Sequence, residues 1–227
     1  VTRLVQPELL DRLPPDDPRA VRSRRDLRRV NDCMGNHRLM TETLQKMCPP
    51  PAPKKITELG AGDGNYLLRV AQKITPPWPG VKATLIDLQK NTSPETLAAF
   101  NTLNWHAKTI VADVFDWPPL ESDIVIANLF LHHFEDARLA ELLRLVGRRT
   151  HLFIAIEPRR GRWPWLASRF LWAIGCNDVT RHDATVSVRA GFSGRELSRL
   201  WPDKPGWQLT EQPAGAFSHL FIARKTH

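Results

Sequence analysis

Cysteine is scarce: Cys33, Cys48 and Cys176 are the only three in 227 residues. They are odd in number and stand at no metal-ligand spacing, which argues against a disulfide framework or a cysteine-held zinc, so no metal is expected. Such a chain suits a reducing compartment. No apolar stretch reaches the roughly 18 residues of a membrane span, and the first residues lack the basic-then-apolar layout of a secretion signal. A cytoplasmic protein is the expectation. There is neither an internal repeat nor a low-complexity segment. Acid is the scarcer sign of charge, with 24 Asp and Glu against 32 Lys and Arg, a net charge of +8. This excess fits an anionic ligand, a nucleic acid or a membrane surface without choosing among them.

What is present divides the chain in two. Residues 1–53 read as a helical cap and linker. Asp17 can cap a helix that opens on Pro18 and stops at Gly35, a second helix is predicted from Arg38 to Met47, and the prolines of "CPPPAPKK" end it. Residues 54–227 read as the main domain. "KITEL", "KATLIDL", "KTIVADVF", "DIVIANLF" and "HLFIAIE" are short apolar runs, with helices predicted at 65–74, 94–103 and 135–148 between them. Such runs suit strands of a parallel sheet buried on both faces, giving a three-layer α/β fold. A helix after Gly194 and two extended runs around Pro213 to Gly215, an antiparallel hairpin, complete it.

The stretch "ELGAGDGN" places Gly60, Gly62 and Gly64 directly after the first apolar run. In an open parallel sheet, ligands bind beyond the C-terminal ends of the strands. Glycines there permit positive φ and close approach to backbone, and the next helix offers unpaired N–H groups. A phosphate-binding loop would need Lys-Ser or Lys-Thr after the second glycine, and none follows. The dinucleotide fingerprint places its third glycine where Asn65 stands, one residue after Gly64. Asp87 ends the second run, where a carboxylate can accept hydrogen bonds from both hydroxyls of a ribose.

Glu58, Gly60, Ala61, Gly62 and Gly64, with their alternating spacers, resemble motif I of the class I S-adenosylmethionine-dependent methyltransferases. The resemblance covers residues 54–159 and is looser elsewhere. It implies a Rossmann-like sheet of seven strands, mostly parallel with a C-terminal antiparallel hairpin. It also implies S-adenosylmethionine as cofactor. Glu58 would then order the glycine loop, Asp87 would hold the ribose, Leu88 would flank the adenine, Asp113 and the N–H of Val114 would meet the adenine edge, and Asn128 would lie beside the methionine end.

The acceptor is harder to read, because methyl transfer depends mainly on alignment, with proton removal as a supplement. Asn128-Leu129-Phe130-Leu131 lacks the Pro-Pro-aromatic run of the amino-group methylases that act on adenine or glutamine, and no cysteine nucleophile stands here for cytosine. "LFLHHF" resembles the same region of bacterial small-molecule methyltransferases, so His133 or His132 is a candidate general base. A second resemblance, in "RAVRSRRDLRRVNDCMGNHRLM" and "SVRAGF", is to methyltransferases associated with type III polyketide synthases. It implies a hydroxyl on a small apolar, aromatic or polyketide-derived acceptor. Trp163, Trp165, Phe170 and Trp172, in an insert at about 160–192, are candidate pocket residues, with His182 and Asp183 at its far end as lining or as a capped turn. Asn36, His37 and Arg38 could fold over the cofactor, Arg38 pairing with its carboxylate. Methylation of RNA or protein through the basic surface is the alternative; a nicotinamide-dependent reductase and a cofactor-binding domain without turnover are the others.

Overall fold

The computed structural model describes residues 2–14, 16–118, 120–202 and 204–226. Helix α1 (Pro18–Met34) starts where Asp17 accepts a hydrogen bond from the Arg19 N–H and ends at Gly35, which takes the left-handed conformation at φ +69°. Helix α2 (Asn36–Met47) follows at once, two residues earlier than the predicted Arg38 start. This shift makes Asn36 the first residue of a helix. Then come β1 (Lys55–Leu59), α3 (Asn65–Lys73), β2 (Val81–Asp87), α4 (Pro94–Thr102), β3 (Trp105–Val111), β4 (Ser122–Asn128), α5 (Asp136–Arg149) and β5 (Thr150–Pro158). The insert folds into α6 (Arg162–Ser168), a 3-10 turn (Leu171–Ile174) and α7 (Asp178–Ala190). Helix α8 (Glu196–Leu200), β6 (Trp207–Ala214) and β7 (Ser218–Lys225) close the chain.

The seven strands form one sheet in the order β3-β2-β1-β4-β5-β7-β6, parallel except for β7, which runs antiparallel to both β5 and β6. Pro213 lies inside β6 rather than in the turn. It is tolerated because β6 is the edge strand, with one side of its backbone unpaired.

Strand residues alternate between two cores. Ile56, Ile124, Ile126 and Ile154 pack with Met40, Leu44, Leu67 and Val70 on one face. Leu59, Val125, Phe153 and Phe221 pack with Leu139, Leu143, Val146 and Trp201 on the other. Both faces being covered is why the sequence shows unbroken apolar runs instead of an apolar-polar alternation. Each large side chain so buried contributes about 1.5–3 kcal/mol.

Register fixes the site. Ile56 pairs with Ala83 on one side and Ile124 on the other, so β1 lies between β2 and β4. The chain leaves β1 toward β2 and reaches β4 only after β3. This is the point where strand order reverses and a crevice opens beyond the strand ends. No helix among the described residues is long and apolar enough to cross a membrane.

Candidate active site

On the β1–β2 side, Gly60, Gly62 and Gly64 all adopt positive φ, between +56° and +74°. The three serve different neighbours. A Cβ on Gly60 would stand 2.2 Å from the Phe130 ring and one on Gly64 would stand 2.8 Å from Leu85 Cδ1, whereas one on Gly62 would meet nothing within 4 Å. Gly60 and Gly64 are therefore bare for packing, and Gly62 faces open space. The loop is tied to the next strand: the Gly62 N–H donates to Asp87 Oδ2 at 2.8 Å, and the Gln89 N–H donates to Asp87 Oδ1 at 2.9 Å. Each carboxylate oxygen still has a lone pair for a hydroxyl. Leu88 is 71% exposed beside it. Asp113 lies beyond the end of β3, in a turn where its Oδ1 accepts from the Phe115 N–H, and Val114 is buried.

Glu58 sits at the end of β1, buried, with its Oε2 lacking a hydrogen-bond partner. Burial, with the nearby Asp63 and Asp87 charges, pushes this carboxyl well above its ordinary range. An orphaned buried oxygen, open space at Gly62 and a half-engaged acid at Asp87 fit a polar ligand in this cradle. The residues fit S-adenosylmethionine.

On the β4 side, Asn128 is the last strand residue. Its Oδ1 accepts from the Asn36 side-chain amide at 3.0 Å, and Asn36 Oδ1 in turn accepts from the Ser218 hydroxyl. Leu129 then takes φ +51°, uncommon for a branched side chain. This reversal sends Phe130 back over Gly60 and starts the 3-10 turn Leu131–His133. The turn rests on Glu157, a fully buried acid in β5, whose carboxylate accepts from the backbone N–H groups of Phe130, Leu131 and His132.

The His132 ring lies between two carboxylates. Its Nδ1 is 2.9 Å from Glu157 Oε2, and its Nε2 is 3.5 Å from Glu8 Oε1. Burial opposes the imidazolium, but the hydrogen bonds to Glu157 and Glu8 win and hold His132 at about 9. Against the cost of its burial, Glu8 is held down at about 2 by His132, His133 and Ser187. His133 stacks against His132 with ring centroids 4.3 Å apart, and burial together with the His132 cation presses it down to about 4. Two adjacent histidines thus hold opposite charge states at neutral pH. Both nitrogens of the His132 ring face a carboxylate. Glu8, His132 and His133 offer donor atoms within 4.8 Å of one another, the only group of that kind among the described residues. As placed, Glu8 is already engaged by His132 and by the Ser187 hydroxyl.

The segment before α1 delivers Glu8. Arg3 donates to the carbonyls of His132, Phe134 and Ala190, pairs with Asp136 and lies 4.6 Å over the Phe192 ring. The Leu9 and Leu10 N–H groups donate to the buried Asp183 carboxylate.

Three expectations are corrected. Arg38 pairs with Glu42 on its own helix instead of with a group of the crevice, and its side chain is 80% exposed on the outer face of α2. Trp163, Phe170 and Trp172 build no enclosed pocket. They are 80%, 54% and 58% exposed, since α6 and the 3-10 turn after it are too short to bury both faces. Trp165 is partly buried under Arg169. His182 and Asp183 belong to neither a turn nor a strand entry: both are inside α7, where His182 Nδ1 lies 3.0 Å from Asp183 Oδ1 and Asp183 anchors the N-terminal segment. The rings that do flank His133 are Phe130, at 6.5 Å, and through it Phe134 and Phe115.

Sequence reasoning missed Arg3, Glu8, Glu157 and Ser218. Only Glu157 carried a signal: an acid closing the apolar run "HLFIAIE" must be paid for by partners if that run is a central strand.

Comparisons with known proteins agree with this geometry. Residues 56–151 match a family model described as a methyltransferase domain. The chain is 30% identical over 143 residues to an uncharacterized methyltransferase of Mycobacterium tuberculosis, covering 58% of this chain and 68% of that one. Its fold is similar to that of the plantazolicin methyltransferase solved with S-adenosylhomocysteine, with TM-score 0.65, 15% identity and 93% and 92% of the two chains covered. The pyocyanin biosynthetic protein PhzM superposes with TM-score 0.61 at 15% identity, over 93% of this chain and 60% of that one. With this similarity, its glycine turn after β1 and its seven-strand order, the chain belongs to the class I S-adenosylmethionine-dependent methyltransferases.

Proposed function

We propose that the enzyme O-methylates a hydroxyl on a small apolar acceptor, aromatic or polyketide-derived, with His133 as general base. The observation that carries this reading is the charge arrangement of the LHH turn. His132 is held as a cation between Glu8 and Glu157, and the neighbouring His133, beside the Phe130 ring, is left neutral, a weak base that takes the hydroxyl proton only as the methyl group is transferred. Bound S-adenosylmethionine supplies the electrophilic methyl group. The chain's own residues do the rest. Gly62, Asp87 and Asp113 hold the adenosine, the Asn128–Asn36–Ser218 chain fixes the polar end of β4, and Phe130 bridges the glycine loop and His133. The Phe130, Phe134 and Phe115 rings favour a flat, apolar acceptor and keep water from the reacting oxygen.

The test is turnover of a phenol panel, followed by formation of S-adenosylhomocysteine. His133→Gln is expected to slow methyl transfer about a hundredfold or more while calorimetric binding of S-adenosylhomocysteine stays unchanged. Full activity in that variant would reduce His133 to packing, and methylation of amines with no phenol turned over would move the acceptor to another class.

A further inference from the structure

The net charge of this protein is not spread over it. Residues 18–34 and 159–177 together hold ten arginines and two aspartates, an excess equal to the +8 of the whole chain, so the remainder is balanced. The two segments are neighbours. Arg22 and Arg29 on α1 donate to the carbonyls of Gly175 and Ile174, and Asp26 accepts from the Asn177 N–H. Residues 159–177 contain no acid at all.

Beside this charge lies the largest run of exposed apolar side chains. Trp163, Leu166, Phe170, Trp172 and Ile174 all stand in solvent between positions 163 and 174. The 3-10 turn at 171–174 buries none of its residues, and α6 buries only Pro164 and Ser168. Arg162 and Arg169 are exposed among them. Contiguous exposed apolar groups of this size mark an interaction face. Tryptophan and phenylalanine interleaved with arginine suit the boundary between lipid headgroups and acyl chains, where the ring enters and the guanidinium stays with phosphate.

We infer that the α6 and 3-10 segment, with the arginine face of α1, docks this enzyme on an anionic lipid bilayer. Single-stranded RNA would use the arginines and stack bases on the rings but leave Leu166 and Ile174 in water. A second copy would have to bring an equal concentration of positive charge against this one. An anionic bilayer answers both the charge and the apolar surface, each arginine near it adding about fivefold to the affinity. The inference does not depend on the acceptor proposed above. It also gives the pocket expectation for these aromatics a different explanation: they are held outward rather than inward.

The experiment is flotation of the purified full chain with phosphatidylcholine vesicles and with vesicles also containing phosphatidylglycerol, read together with tryptophan fluorescence. Binding to the anionic vesicles alone is expected, with a blue-shifted emission. Trp163→Ser with Trp172→Ser should weaken it by about tenfold or more, and Arg25→Glu or Arg162→Glu by about fivefold or more. Far-UV circular dichroism and heat stabilisation by S-adenosylhomocysteine should stay unchanged in these variants, which separates lost docking from lost folding. No flotation with anionic vesicles overturns the inference, whether the protein then proves to bind single-stranded RNA or to dimerise through this face. Flotation that survives the double tryptophan substitution overturns it as well.

Discussion

The two sides of the crevice are built over very different distances in sequence. On the β1–β2 side, Gly62 is tied to Asp87 across 25 positions, and Asp87 and Asp113 each hold an N–H two residues on. On the β4–β5 side, Asn36 meets Asn128 across 92 positions and Ser218 across 182, and Arg3 meets His132 across 129. The glycine side is a local device, repeated at the ends of successive strands. The LHH side exists only when the N-terminal segment, α2, β4, β5 and β7 have all come together. A family can therefore keep the first while changing the second by altering elements that lie far from it in sequence.

The comparison can be broken most severely at Glu157. Glu157→Leu leaves three buried backbone N–H groups and the His132 cation without their acceptor, and should cost about 3–5 kcal/mol in denaturant unfolding. A loss below about 1 kcal/mol would mean that the LHH turn does not rest on this residue. Next comes Gly60→Val. Its side chain would strike the Phe130 ring and force a branched residue to positive φ, so S-adenosylhomocysteine binding should disappear through displacement of Phe130. If the collision is the cause, Gly60→Val with Phe130→Ala should recover part of the affinity.

Asp87→Ala should weaken S-adenosylhomocysteine by about 1–3 kcal/mol in calorimetry. The other side of the crevice should show itself in the pH dependence of stability. His132 is raised from 6.5 to about 9, so its stabilisation is complete below pH 6.5 and fades as pH rises through 9. Glu8 is lowered from 4.5 to about 2, so its share is present above pH 4.5 and is lost toward pH 2. The unfolding free energy should therefore decline between pH 6.5 and 9 by at most about 1.4 kcal/mol per pH unit, and Glu8→Gln should flatten that slope. Arg38→Ala is the smallest expected effect, within about 0.5 kcal/mol for stability, because an exposed pair on one helix contributes little.

Reading the residues alone located most helices within two positions and the strands as apolar runs, since two-sided burial writes an unmistakable pattern. Gly62 and Asp87 stand at strand ends, where the apolar runs and the glycine spacing put them, for the same local reason. Arg38 was misplaced because two residues of helix start rotate a side chain by about half a turn. The aromatics of the insert were misassigned because composition records that tryptophans are present and not which way a short helix faces. Arg3 and Glu8 had no signature: a lone arginine or glutamate near a terminus looks like any solvated charge.

The order of apolar runs, caps and glycines by itself determined the sheet, its helices and the glycine turn after β1, because those depend on propensity and on spacings shorter than one strand-helix-strand unit. Only the tertiary structure decided which histidine carries a proton. That choice is electrostatic, made by Glu8 and Glu157 converging on one ring from distant parts of the sequence, and charge at a buried site depends on the three-dimensional distance between groups, which no local pattern encodes.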